Sequence, residues 1–429
     1  MRNKFLGLLA LLMVSSAAQA DLDVTVTGSD IAATPIAIVP FAGLTAKEVD
    51  MAKVIEADLG RTGQFRTLSR SSMPEQPSDP TGFHLPSWRS IGEDNVVMGQ
   101  LKRDPATGNA QVRFYLMDTI RGTQLMAFDM PSVAPAQLRY VSHQIADLIY
   151  QKLTGILGAF TTKIAYVTAN GLGSARKFEL VVADCDGDSP RAVAVSREPL
   201  MSPSWSPDRK QLAYVGFERG RSAIYLHTLA TGQVRKLVSE KGINGSPAWS
   251  PDGKSIAAVL SFETNPDIYI FDVASGSRRR ITDQYGIDTE PSWSPDGQTI
   301  VFTSDRGGQP QIYSLPAAGG GDAKRMTFIG KQNLRASYSP DGKSLVVVNY
   351  DDGRYRVALL DLASGSMKII SDGPLDESPS FAPNGMVVIY ATQGRQGAEL
   401  ATSSIDGRAK LRMRQPGDVR EPAWSPQIR

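Results

Sequence analysis

The strongest hint of metal chemistry in the 429 residues is Asp-Cys-Asp-Gly-Asp, Asp184–Asp188. Carboxylates at alternate positions ahead of a glycine open calcium loops, because a hard cation needs several oxygens gathered round one sharp turn. The glutamate that should close such a loop is missing. Later in the chain the equivalent place is held by Ala-Thr-Gly-Gln, Ala-Ser-Gly-Ser and Ile-Asp-Gly-Arg, so a hairpin turn is expected. The three histidines, His84, His143 and His227, fall in a Pro-rich loop, a helix and a strand and share no ligand spacing. No Gly-x-Ser-x-Gly nucleophile elbow occurs, and Gly-Leu-Gly-Ser at Gly171 is a loop after a strand, not a phosphate cradle. Cys185 is the single cysteine, so no disulfide can staple the fold. No catalytic, cofactor-binding or metal-ligating residue is expected. Any function has to reside in surfaces.

Those surfaces are positioned by a repeat. An aromatic-Ser-Pro phrase recurs at Trp205, Trp249, Trp293, Tyr338, Phe381 and Trp424, at spacings of 44, 44, 45, 43 and 43 residues. A fixed period of this size signals a repeat architecture. Within one unit, "SPAWSP" reads as a strand and "DGK" as a turn. "SIAAVLSFE", "DIYIFDV" and "SRRRITD" read as three more strands. Proline presets φ and glycine supplies the positive φ that such turns need. Four antiparallel strands per unit make a β-propeller blade, whose two apolar faces are hidden only by neighbouring blades. The aromatic residues are therefore expected between blades. The second strand beginning at Lys163 has no phrase before it, and the terminal "EPAWSPQIR" has no second strand after it. A six-bladed ring solves both deficits if the C-terminal phrase supplies the inner strand of the first blade.

The remainder is of another kind. Residues 1–20 have a basic start (Arg2, Lys4), an apolar run and Ala-x-Ala at Ala18–Ala20, which predicts a signal peptide cleaved between Ala20 and Asp21. The apolar run is shorter than the roughly 20 residues a spanning helix needs, and no other segment is long enough, so the chain is not expected to span a membrane. Without Arg2 and Lys4 the basic residues equal the 44 acidic ones, which argues against nucleic acid as a partner. Export without a disulfide framework points to a periplasm. Residues 21–160 mix strands with two helices and predict an α/β domain, ahead of the all-β propeller of residues 161–429. One helix is expected over "TAKEVDMAKVIEADLGR", capped by Thr45 and ended near Gly63. "SSMPEQPSDPTGFHLPSW" is expected to be a surface loop.

A leader, a small α/β domain and six "SPxWSPDG" blades ending in "EPAWSP" resemble the TolB family, periplasmic components of the bacterial Tol-Pal system. "PIAIVPF" and "REPLMSPSWSPD" carry the same resemblance. It implies a non-enzymatic adaptor that binds the peptidoglycan-associated lipoprotein Pal at the propeller mouth and TolA through the mature N-terminal segment. Its roles would be outer-membrane integrity and constriction during division, with other envelope lipoproteins and colicins as further partners. A monomer is expected.

The loops entering the inner strands converge on one polar rim, a shape suited to capturing a protein segment. Matching family positions are Ile243, Asn244, Ser246, Thr289 and Glu290, with Met201 and Glu377 at comparable places. Asp288, Asn333, Asp376, Asp418 and Arg420 lie in the same loops. The family often has His where Ile243 stands. The carboxylates Asp288, Glu290, Asp376 and Glu421 serve equally well as turn caps. The N-terminal segment Asp21, Leu22, Asp23, Val24, Thr25 and Val26 reads as a half-buried edge strand or as one that detaches to pair with a partner's sheet edge. Only the resemblance favours the second. The alternative function is an exported propeller enzyme, peptidase-like or a lyase, or a carbohydrate-binding propeller. A lyase or sugar site would want clustered His or Arg in the channel, where the phrases offer mostly Ser, Pro and Ala.

Overall fold

The structure, a computed structural model, describes Leu22–Val26 and residues 33–171, 173–263, 265–394 and 397–427. The expected leader and its cleavage point at Ala20 and Asp21 lie outside the described residues. Among the described residues no helix is long and apolar enough to cross a membrane.

After the strand β1 (Leu22–Val26), the N-terminal domain comprises β2 (Thr34–Ile38), α1 (Met51–Gly60), β3 (Phe65–Thr67), α2 (Leu85–Ser90), β4 (Asn95–Arg103), β5 (Ala110–Asp118), β6 (Thr123–Val133) and α3 (Leu138–Thr154). Its sheet runs β3-β2-β4-β5-β6, parallel around β2 and antiparallel beyond β4. A parallel strand at the centre of a sheet is covered on both faces, and β2 reads accordingly. Ile36 and Ile38 pack toward α1 and α3, while Ala37 and Val39 pack around Trp88.

Two sequence expectations fail here. The first helix begins at Met51, not near Thr45, because the Asp50 side chain accepts from Lys53 N and starts it there. Thr45 instead closes a separate turn with Glu48. The Pro/Ser-rich stretch also contains α2, whose Trp88 is fully buried and donates its indole N–H to Glu75. A six-residue helix in proline-rich sequence has too little periodicity to be read.

The propeller has six blades, each a four-stranded antiparallel sheet, and the last gains a fifth strand. The first blade contains β7 (Lys163–Asn170), β8 (Lys177–Asp184) and β9 (Arg191–Ser196), with Asp418–Trp424 from the C-terminus as its inner strand. Asp418 pairs with Ala169 and Trp424 with Ile164, so the ring is closed as the repeat count requires. The phrase aromatics do lie between blades. Trp205 donates its indole N–H to the Ala423 carbonyl and Trp293 to that of Ala248, each in the preceding blade. β1 adds antiparallel to the outermost strand of the last blade, Ala409–Met413, from Leu22 opposite Met413 to Val26 opposite Ala409.

Asp184–Asp188 is the expected turn, between β8 and β9, and it also docks the two domains. Arg139 of α3 reaches all three of its carboxylates: Asp184 at 3.4 Å, Asp188 at 3.0 Å, and Asp186. Behind it, His143 donates from Nδ1 to Asp58 at 2.6 Å, and Arg61 pairs with Asp58. Burial pushes His143 down to about 4, against the pull of Asp186, so at pH 7 it is neutral and its contact with Asp58 is a hydrogen bond. Asp58, His143 and Asp186 come close enough to resemble a cation site, but two guanidinium groups already supply the positive charge. Burial pushes the Asp186 carboxyl up, yet Arg61, Arg139 and His143 outweigh it and hold the group below its ordinary range. Its stabilisation is present above the ordinary carboxylate pKa and is lost as pH falls through the depressed value. Asp186→Asn is expected to lower the unfolding free energy by about 2 kcal/mol at pH 7, read by urea denaturation, because it takes from Arg139 the most buried of its three carboxylate partners. The deficit should shrink on acidification. Cys185, in the same turn, is buried, donates to the Phe160 carbonyl and is pushed up to about 12 by burial, so it is an inert thiol.

Candidate partner-binding mouth

Every inner strand carries one bulge, and it falls at the same place in the repeat. The register shifts across Ser202, Ser246, Glu290, Arg335, Ser378 and Glu421. These six are non-glycine residues with φ between 47° and 55°. Proline follows five of them, and lacking an N–H it fits a bulge better than a ladder. The left-handed conformation costs roughly 1–2 kcal/mol per residue, and it recurs on all six blades because it directs one side chain from each toward the axis. The six line a single channel cavity of 280 Å³.

Chemically this ring holds three serines, two glutamates and one arginine. Arg335 spans it, with Nε 3.2 Å from Glu290 and Nη2 3.0 Å from Glu421, while Nη1 donates to Ser378. Glu290 also accepts from Arg335 N at 2.9 Å and Thr303 Oγ1 at 2.8 Å. Glu421 accepts from Ser202 N at 2.6 Å. Burial opposes both ionised forms and the mutual attraction overrides it: Arg335 is raised by Glu421 and Glu290, and Glu421 is lowered by Arg335 and Ser202. The ring is a cross-brace joining five blades beneath the mouth.

Two residues earlier in the repeat stand Asn244, Asp288, Asn333 and Asp376. All four are buried and do not face the mouth, which corrects their expected role as contact residues. Asn244 donates to the carbonyls of Ser222 and Glu240 and accepts from Glu240 N. Asn333 donates to Gln311 and the Ile329 carbonyl. Asp288 holds Arg306 at 2.7 Å. Asp376 accepts from Gly373 N and Thr392 Oγ1, and burial raises its carboxyl above the ordinary range even so. These side chains anchor the mouth loops from behind.

What the loops present is apolar. Ile243, Ile287 and Leu375 occupy one position of the repeat and are 50 %, 49 % and 39 % exposed. Met201 is exposed beside them, and Tyr285 (83 %), Phe328 (73 %) and Ile329 extend the crescent over the loops that enter the Asp288–Trp293 and Gln332–Tyr338 strands. Among the described residues, half of the fourteen large exposed hydrophobic side chains thus lie at this end of the propeller. Thr289 and Glu377 are half-buried among them. Arg420 pairs with Glu377 at 3.5 Å and Asp418 at 3.2 Å, and Arg176 lies 3.8 Å from Asp418, so two guanidinium groups face two carboxylates on that side of the rim. Ser246 and Glu290 face the channel below.

Sequence reasoning missed Ile287, Leu375, Tyr285, Phe328, Ile329 and Arg335. The first two were findable, since they align with Ile243 in the repeat. Arg335 stands where the other phrases have Ser or Glu, and that break in the pattern was its only signal.

A family model described as the TolB beta propeller domain matches residues 150–428, and one described as the TolB amino-terminal domain matches residues 22–125. The chain belongs to the TolB family. Its curated TolB relatives include the Tol-Pal system protein TolB of Xanthomonas oryzae pv. oryzae, 54 % identical over 98 % of this chain and 97 % of that one. The corresponding protein of Xanthomonas campestris pv. campestris is 53 % identical over the same shares. The crystal structure of TolB from Acinetobacter baumannii superposes with a TM-score of 0.88 at 40 % identity, covering 95 % of this chain and all of that one.

Proposed function

We propose that this TolB-family chain is a non-enzymatic component of the Tol-Pal system, a periplasmic adaptor that binds Pal at the propeller mouth and TolA through the N-terminal segment Asp21–Val26. Its work would be to keep the outer membrane attached and to constrict it during division. The observation that carries the reading is the apolar crescent at the mouth: exposed Met201, Ile243, Ile287 and Leu375 over a layer whose polar groups are nearly all satisfied internally. Such a surface gains by covering its apolar groups, about 1.5–3 kcal/mol for each side chain fully buried, and a few of these groups would dominate. For the N-terminal segment the support is its pairing: a five-residue strand added to a sheet edge is the form in which strands exchange between partners.

The test is retention on immobilised Pal. Ile243→Asp is expected to weaken binding at least about tenfold, because it desolvates a charge against an apolar partner. Thr289→Ile, which adds bulk between Ile287 and the ring, should do the same. Ile243→Asp should leave the melting temperature almost unchanged, as Ile243 is exposed, and Thr289→Ile, at a half-buried position, should lower it only slightly. Removal of Asp21–Ala33 should abolish capture by TolA. Full retention of Pal by both rim variants would remove the mouth assignment.

A further inference from the structure

The channel opens at its other end into a second depression, on the face away from the mouth, with a cavity volume of 640 Å³. Each blade contributes the proline of its phrase: Pro207, Pro251, Pro295, Pro340, Pro383 and Pro426. Three indoles, those of Trp205, Trp249 and Trp293, form one wall, and the interdomain linker at Ile156–Leu157 closes the side opposite. Among the described residues no Lys, Arg, Asp or Glu lines it. We propose that this bowl binds an uncharged, proline-rich peptide in the polyproline II conformation.

Three observations select that ligand. The described wall carries no charged side chain, so it favours an uncharged ligand over one whose charge would have to be desolvated there. Aromatic and proline surfaces fit pyrrolidine rings, and polyproline II peptides are recognised in aromatic-lined grooves. Such a peptide has no internal hydrogen bonds and presents carbonyls without matching N–H groups, so its site must supply donors. The bowl has them: Ser204 Oγ accepts from Trp249 N and keeps its proton to give, and the side-chain amides of Asn384 and Gln427 each spend one N–H on a carbonyl, of Leu157 and Gly158, and carry a second. Leu157, 49 % exposed at the edge, offers an uncovered apolar contact.

Three of the chain's five tryptophans line the bowl, so intrinsic fluorescence reports on it directly. The mature chain would be titrated with a blocked decaproline peptide, with a glycine-serine peptide of equal length as the control. The expected result is a saturable fluorescence change with decaproline alone. Leu157→Asp and Leu157→Lys should each weaken it about tenfold or more, with unaltered melting, while Ile243→Asp at the mouth leaves it unchanged. No saturable change, equal binding by the Leu157 variants, or a loss with Ile243→Asp would each overturn the proposal. Saturation by free indole without any response to decaproline would show an apolar cavity only, and overturn it too.

Discussion

A chain truncated before Glu421 is expected to lose the cooperative melting of the whole propeller, not merely a frayed end. The nine residues removed include most of the inner strand of the first blade, and with it the pairing of Trp424 to Ile164 and Ala423 to Ala165. They also hold the seam on either side. Trp424 donates to Thr162 at 2.7 Å and, through its backbone, to Ser380 at 3.0 Å, while Ser425 N donates to the Lys163 carbonyl at 2.8 Å. Truncating one buried tryptophan to alanine costs about 3–5 kcal/mol, against a total stability of roughly 5–15 kcal/mol for a domain. Removing the strand as well exposes the β7 edge, an invitation to aggregation. Trp424→Ala should therefore be folded with a much lower urea midpoint, and the truncated chain unfolded or aggregated. Melting of the truncated chain at the temperature of the full one would contradict a ring closed by its own C-terminus.

Arg335→Met is expected to be the most damaging single change in the channel. It leaves Glu290 and Glu421 facing each other across the axis without the cation between them; breaking a fully buried pair from one side costs about 3–5 kcal/mol, and this half-buried one is expected to approach the lower end of that range. The pH dependence identifies the cause. In the native chain Glu421 is depressed, so its contribution is present above the ordinary glutamate value and is lost as pH falls through the depressed one. In the variant, burial without Arg335 raises that carboxyl instead. The folded state then binds protons more readily than the unfolded one, and the variant gains stability as pH falls from neutrality toward 5. Urea denaturation across that range should show the deficit narrowing. Adding Glu290→Gln and Glu421→Gln to Arg335→Met should restore much of the loss at pH 7. A deficit that stays constant with pH would mean that Arg335 acts by packing alone.

Much of the architecture was legible because it repeats. Six phrases at a constant period fix the number of blades, the place of each turn and the need for a closing strand, since a blade left open exposes apolar faces and a sheet edge. The mouth loops were legible for the same reason. Their side chains were not. Asn244 and Ser246 lie two apart on one strand, yet the first is sunk into the blade and the second lines the channel, because a bulge follows and resets which way the chain faces. Simple alternation has no means of announcing that change.

By itself the sequence determined a ring of blades, its closure from the two ends, a separate α/β domain and the absence of a nucleophile elbow. All of these follow from local pattern and period. Tertiary structure alone decided that Arg335 would meet Glu290 and Glu421, 45 and 86 residues away. It also decided that Arg139 would find the Asp184–Asp188 turn, and that the polar residues of the mouth would turn inward and leave apolar ones outside. Each depends on where a curved sheet aims a side chain in space, and charge pairs between distant blades leave no trace in the spacing of the residues that form them.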